Sequence, residues 1–233
     1  MRRKTLVKTL VVVAGLVLMS APNILADVCV CDFDYDGNVY PSDLSVFLGE
    51  YGRTDCPPNG PAPVPKTGQN NSYGVPGSDG DLLRGVGWPV PRFTDNEDGT
   101  ITDNLTGLIW LKNANCYGMR EWSTAITDCH NLGAPDCGLT DGSSTGDWRL
   151  PNRSELLSLI NLKFWNPPLS NGWGTGQWIH GDPFINLVTT GYWTSTSTAF
   201  GSDQAWYVSM YNGTATYFST SGSVSYFWPV RGG

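Results

Sequence analysis

Eight oxygen-bearing side chains are crowded into one short stretch near the N-terminus, "CDFDYDGNVYPSDL" (residues 31–44). Counting from Asp32, positions 1, 3, 5, 7, 9 and 12 fall on Asp32, Asp34, Asp36, Asn38, Tyr40 and Asp43, with Gly37 at position 6. This is the register of a twelve-residue calcium loop, in which alternate residues aim oxygens inward and a glycine makes the sharp turn. Asn38 would ligate through its backbone carbonyl, and a water would complete the shell at Tyr40. Four carboxylates so close together repel one another unless a cation neutralises them. The competing reading is an acidic turn that caps the following helix through Ser42 or Asp43. The spacing favours calcium.

The elements around the loop fit that reading. "SDLSVFLGEYG" brings Leu44, Phe47, Leu48 and Tyr51 to one helical face at i, i+3, i+4 and i+7, and Gly52 is a C-terminal stop. Asp at position 12, where sensor EF-hands carry a bidentate Glu, resembles the loop-plus-helix unit of dockerin modules. Dockerins carry two such loops and this chain has one, so the expectation is a structural calcium clip.

The chain opens with Arg2, Arg3, Lys4 and Lys8, then a short apolar run to Met19 and a small residue, Ala26, before Asp27. This predicts a secretory signal peptide over residues 1–26, too short in its apolar core to span a bilayer. Its removal takes the formal charge from −7 to about −11, because those four basic residues leave and no acid does. An acidic chain without a basic stripe argues against nucleic acid or an anionic membrane surface as partner. No membrane insertion is expected after signal cleavage. Residues 27–56 form the calcium loop and helix, residues 57–66 ("PPNGPAPVPK") a Pro-rich linker, and residues 67–233 one further domain.

Six cysteines (Cys29, Cys31, Cys56, Cys116, Cys129 and Cys137) in an exported chain predict disulfides. Proximity in sequence favours Cys31–Cys56 and Cys129–Cys137. A zinc site is the rival, but no C-x-x-C or C-x-x-H pair supplies it.

Within residues 67–233, "RFTDNEDGTITDNLTGLIWLKN" reads as short strands joined by turns at Asp98-Gly99 and Thr106-Gly107. "REWSTAITDCHNL" places Trp122, Ala125, Ile126 and Cys129 on one helical face. "DWRLPNRSELLSLI" reads as a strand, then a helix with Asn152 as N-cap and Glu155 three residues on. From Gly191 the alternation is strand-like throughout, with Asn212-Gly213 as a hairpin turn. Two helices followed by an antiparallel meander give an α+β fold, loop-rich, with a small N-terminal loop–helix unit.

Three stretches carry a family resemblance: "RFTDNEDGTITDNLTGLIWLKNANC", "DWRLPNRSELLSLI" and the closing "AWYVSMYNG…FWPVRGG". From about Pro65 to Arg231 the chain resembles the Lcl C-terminal domain family, named after a bacterial collagen-like adhesin. The resemblance implies a C-type-lectin-like fold, akin to the formylglycine-generating and sulfatase-modifying group. It also implies an exported surface module, with glycan or glycosaminoglycan binding in its best-known member and no established reaction. The partner expected is an extracellular glycan or a surface protein. Net negative charge sets this chain apart from a binder of sulfated glycans.

Candidate ligand-binding residues lie in "FWNPPLSNGWGTGQWIHGDPF" (residues 164–184), a long Gly/Asn-rich loop of the kind that is functional in compact domains. Its Trp165, Trp173 and Trp178 offer faces for stacking sugar rings, and Asp182 with nearby Asn186 offers polar contacts. The same indoles also fit a loop pinned to the domain, and the sequence leaves both readings open. Trp110, Trp122, Trp193, Trp206 and Trp228 sit on regular elements and are expected in the core, and "WRLP" (residues 148–151) is expected to pack the strand-to-helix junction. Asp95, Asp98 and Asp103 are loosely spaced like a second cation site, although a hairpin turn explains Asp98-Gly99.

Catalysis is poorly supplied, and no catalytic residue is assigned. Only His130 and His180 are available as histidine bases, and Cys129 and His130, adjacent on a helix, point to different faces. A formylglycine-generating oxidase needs a cysteine pair late in the fold, and no cysteine follows Cys137. Carboxylate-dependent hydrolysis has no motif to support it. The reading is a non-catalytic binding module, with a structural or assembly component docked through the calcium unit as the alternative.

Overall fold

The computed structural model describes residues 64–199 and 201–232. A unit boundary falls between Pro63 and Val64, and the described residues belong to the second unit. The signal segment, the calcium loop at residues 32–43 and Cys29, Cys31 and Cys56 therefore lie outside the described residues.

The second unit is α+β. Its order is α1 (Asp79–Leu82), β1 (Phe93–Asp95), β2 (Thr100–Asp103), β3 (Ile109–Leu111), β4 (Arg120–Glu121), α2 (Trp122–Asn131), a 3-10 turn (Asp136–Gly138) and α3 (Arg153–Ser158). The strands β5 (Gly191–Thr198), β6 (Gly201–Ser209), β7 (Ala215–Ser219), β8 (Val224–Ser225) and β9 (Val230–Arg231) follow. Three antiparallel sheets result, in the orders β1-β2-β3-β9, β4-β8 and β5-β6-β7. The last strand returns to the first sheet, pairing Trp110 with Val230, so both ends of the domain share one sheet.

Local chemistry accounts for the elements. The first hairpin turns at Gly99 (φ +88°), where any side chain would strike the backbone of Gly138 and Leu139. In α3 the capping box is complete: Glu155 N–H donates to Asn152 Oδ1 at 2.9 Å, and Asn152 N–H donates to Glu155 Oε2 at 2.7 Å. Helix α2 buries Ala125 and Cys129, and its Trp122 Nε1–H donates to the Thr194 carbonyl of β5 at 2.7 Å.

The core is aromatic. Trp228 packs edge-on against Trp110 (5.5 Å) and Phe184 (4.7 Å), and its indole N–H donates to the Leu111 carbonyl. Trp110, Trp148, Trp193 and Trp228 are buried, and Trp122 and Trp206 are half-buried. Trp148 donates to Ser143 Oγ at 3.0 Å and Pro151 is buried, so "WRLP" packs inward ahead of α3, but in place of the expected strand Arg149 makes an isolated bridge to Val230. Beneath β1, Arg92 and Asp103 form an ion pair with both side chains fully buried. Among the described residues no helix is long and apolar enough to cross a membrane.

The cysteine pairing is corrected. Cys116 bonds Cys137, with Cα atoms 5.7 Å apart, and Cys129 is a free, buried thiol. Nearness in sequence misled because helix direction decides. Cys129 sits on the inward stripe of α2 with Ala125, packed among Leu150, Trp193 and Phe227. Cys137 lies beyond the helix end in the 3-10 turn, at φ +56°. The expected Cys31–Cys56 pair lies outside the described residues.

The closing alternation "SYFWPVRGG" is not one strand. Val224–Ser225 pairs with β4 and Val230–Arg231 with β3. Pro229 stands between them and cannot donate to a ladder.

Candidate functional site

The long loop separates its three indoles into different roles. Trp178 is half-buried against the main core and donates to the Phe184 carbonyl at 3.2 Å, so it pins the loop. Trp165 is 62% exposed and meets Tyr211 edge-on at 5.0 Å. Its carbonyl and that of Pro167 are both held by the Gln177 side-chain amide. Trp173 is 61% exposed and stands between two glycines. A Cβ at Gly172 would come within 2.8 Å of Asp182 Oδ1, and one at Gly174 (φ +78°) within 3.0 Å of Arg92 Cβ. The backbone on both sides of Trp173 is thus pressed against fixed neighbours, so the exposed indole is carried by an ordered loop.

Trp173 and Asp182 meet in one cleft of about 370 Å³. Its lining also includes Phe93, Thr94 and Asp95 of β1, with Pro91 and Pro183 supplying apolar surface. Asp182 Oδ1 accepts the Gly172 N–H at 2.8 Å, and its second carboxylate oxygen has no partner among the described residues. The Asp95 carboxylate accepts from Lys112 Nζ at 2.5 Å and from the Glu97 N–H at 3.0 Å. Thr94 Oγ1 accepts from Asn104 at 2.9 Å and keeps its hydroxyl proton to donate. The cleft therefore combines an exposed indole with one uncommitted carboxylate oxygen and a hydroxyl donor.

Asn186 is placed elsewhere. It adopts φ +57°, donates to Asn113 Oδ1 at 3.1 Å, and lies 3.5 Å from His180 Nε2. The three acids named as a loose second cation set take separate partners. Asp103 is buried against Arg92, Asp98 Oδ1 accepts from Thr100, and Asp95 pairs with Lys112. Among the described residues no group of three His, Cys, Asp or Glu side chains is gathered to hold a metal.

Two other clefts differ in character. One of about 360 Å³ lies over β5, β6 and β8, where Tyr207 covers Gly191 and stacks at 4.9 Å on exposed Phe218. The other, about 510 Å³, joins α2 to α3 through His130, Trp148, Arg149, Glu155 and Ser195. There Arg149 grips both oxygens of Glu155 at 2.7 Å. Burial pushes the Glu155 carboxyl up, but the Arg149 fork and the Asn152 N–H outweigh it and hold the group below its ordinary range. The carboxylate is thereby committed to structure. Burial pushes the Cys129 thiol well up, which keeps it protonated and a poor nucleophile. Among the described residues neither histidine hydrogen-bonds a serine, aspartate or glutamate.

Of the candidates read from the sequence, this cleft brings together Trp173 and Asp182, and β1 adds residues that were not among them. Phe93 and Thr94 carried no signal, and Asp95 was legible only as a member of a loose cation set with Asp98 and Asp103, because its place in the same cleft as residue 182 depends on tertiary folding.

A search of curated proteins returns no match for this chain. Residues 99–231, more than half of its length, match the family described as the Lcl C-terminal domain. The chain belongs to the Lcl C-terminal domain family.

Proposed function

We propose that this protein is an exported, non-catalytic binding module, C-type-lectin-like in character, that holds a carbohydrate in the cleft between β1 and the Trp173 loop. The observation that carries the reading is the ordered exposure of Trp173 beside the uncommitted oxygen of Asp182. Sugar rings present apolar C–H faces that stack on an indole, while their hydroxyls need a few fixed polar partners. Membership of the Lcl C-terminal domain family supports an extracellular setting, as does the signal-like N-terminus. The calcium loop at Asp32, Asp34, Asp36, Asn38, Tyr40 and Asp43 acts in this reading as a structural clip, supported by donor spacing alone.

A second reading, an assembly component of an extracellular complex, draws on a different observation. Residues 73–90 expose Tyr73, Val75, Leu82 and Val90, apolar side chains of the kind that mark protein contacts. A glycan array with the full chain, with and without chelator, separates the two. Glycan binding lost in Trp173→Ala supports the lectin reading. No glycan binding, with recovery of a surface protein through the Tyr73–Val90 face, supports assembly.

A further inference from the structure

The cleft that Trp173 lines is also lined by a sheet edge, whose hydrogen-bonding groups specify more than stacking does. β1 is the terminal strand of its sheet. Its even-numbered neighbours face β2: Asn96 N–H donates to the Thr100 carbonyl at 3.1 Å, and Asn104 N–H donates to the Arg92 carbonyl at 2.9 Å. By the alternation of an antiparallel ladder, the backbone groups of Phe93 and Asp95 point away from the sheet. The Phe93 N–H is taken by the Gly172 carbonyl at 2.9 Å. The Asp95 N–H has no partner among the described residues, and Asp95 lines the cleft. The uncommitted oxygen of Asp182 belongs to the same cleft.

One cleft thus offers a backbone donor and a separate carboxylate acceptor. A trans amide presents its C=O and N–H in opposite directions, so it spans such a pair. We propose that the ligand of this cleft is a 2-acetamido sugar; this deepens, and rests on, the carbohydrate reading above. The acetamido carbonyl accepts from the Asp95 N–H and the acetamido N–H donates to Asp182. The methyl group packs on Pro91 and Pro183, and the sugar ring lies on Trp173. A carboxylate as acceptor disfavours uronic acids and sulfated sugars at this position. An added peptide strand fits less well, because β1 is three residues long and its Phe93 N–H is already used.

The test is calorimetry on the full chain with the β-1,4 trisaccharide of N-acetylglucosamine, the matching glucose trisaccharide, and an N-methylacetamido analogue that lacks the amide proton. The expected result is binding of the acetamido sugar about tenfold or more tighter than either comparison ligand. Asp182→Asn should erase that preference and keep glucose-trisaccharide binding, while Trp173→Ala should weaken all ligands. The N-methyl ligand keeps the test valid should Asp182→Asn perturb the loop. Equal affinities that all depend on Trp173 overturn the acetamido inference and leave the stacking reading standing. Binding of none of the three overturns the inference, and the glycan array then decides separately whether stacking survives. Trp173-dependent capture of an extended peptide in place of sugar overturns both.

Discussion

Replacing either member of the Arg92–Asp103 pair should be among the most damaging single changes in the domain. Both side chains are fully buried. Arg92 Nε and Nη2 donate to the two carboxylate oxygens at 2.8 and 2.7 Å, and Nη2 also reaches the Ser158 carbonyl. Asp103 accepts in addition from the Leu105 N–H at 2.9 Å and the Thr106 hydroxyl at 2.8 Å. The guanidinium lies 4.3 Å from the Trp88 ring centroid and 4.7 Å from that of Phe93. Removing one partner leaves the other charge buried without its counter-ion, which costs about 3–5 kcal/mol. Arg92→Met and Asp103→Leu are each expected to lose that much, a large share of the roughly 5–15 kcal/mol that holds a domain folded. The double variant should lose about 2 kcal/mol or more less than the sum, since no orphan charge remains. Urea unfolding followed by tryptophan fluorescence, at unchanged m, measures all three. Single-variant losses below about 1 kcal/mol, or strictly additive losses, would refute the reasoning.

Other expectations follow from the same geometry. A chain beginning at Gly99, where the family match starts, lacks the buried Phe93 and Arg92; circular dichroism and thermal scanning should find no cooperative transition. The Glu155 carboxyl titrates below its ordinary value of 4.5 in the folded chain, so its contribution is fully present above that pH and fades as pH falls through the depressed value. The stability gap between the parent and Glu155→Gln, measured by thermal unfolding, should therefore be open at pH 7 and narrow progressively as the pH is taken below 4.5. Non-reduced peptide mapping should recover Cys116 joined to Cys137, with Cys129 alkylated only after denaturation. Titration with calcium should raise the melting temperature of the full chain, and Asp34→Ala with Asp36→Ala should abolish that rise.

The parts that were legible in the sequence are those decided by neighbours within about four residues. The Asn152/Glu155 capping box and the Asn212-Gly213 turn depend on adjacent backbone alone, and both are present, the latter with Gly213 at φ +77°. The burial of Trp110 and Trp193 followed from their places on strands, whereas Trp228 is buried from the irregular stretch between β8 and β9. Pairings between distant segments were not legible. Local spacing favoured Cys129 over Cys116 as the partner of Cys137 until helix direction was known. The cleft joins Asp95 to Asp182, and nothing in either stretch refers to the other. The division of labour among Trp165, Trp173 and Trp178 depended likewise on which indole the fold turned inward.

In the proposed function Trp173 is the stacking surface of a sugar site. The most direct test of that role is the affinity of the full chain for its best glycan-array ligand, measured by calorimetry in parent and Trp173→Ala forms with matched thermal stability. Loss of one stacking indole should weaken binding by about tenfold or more, given the roughly 0.5–1.5 kcal/mol that such ring contacts add beyond the area they bury. Trp165→Ala, outside the cleft, should leave the affinity within about twofold of the parent. Equal affinity of the parent and Trp173→Ala for every glycan bound would contradict the account.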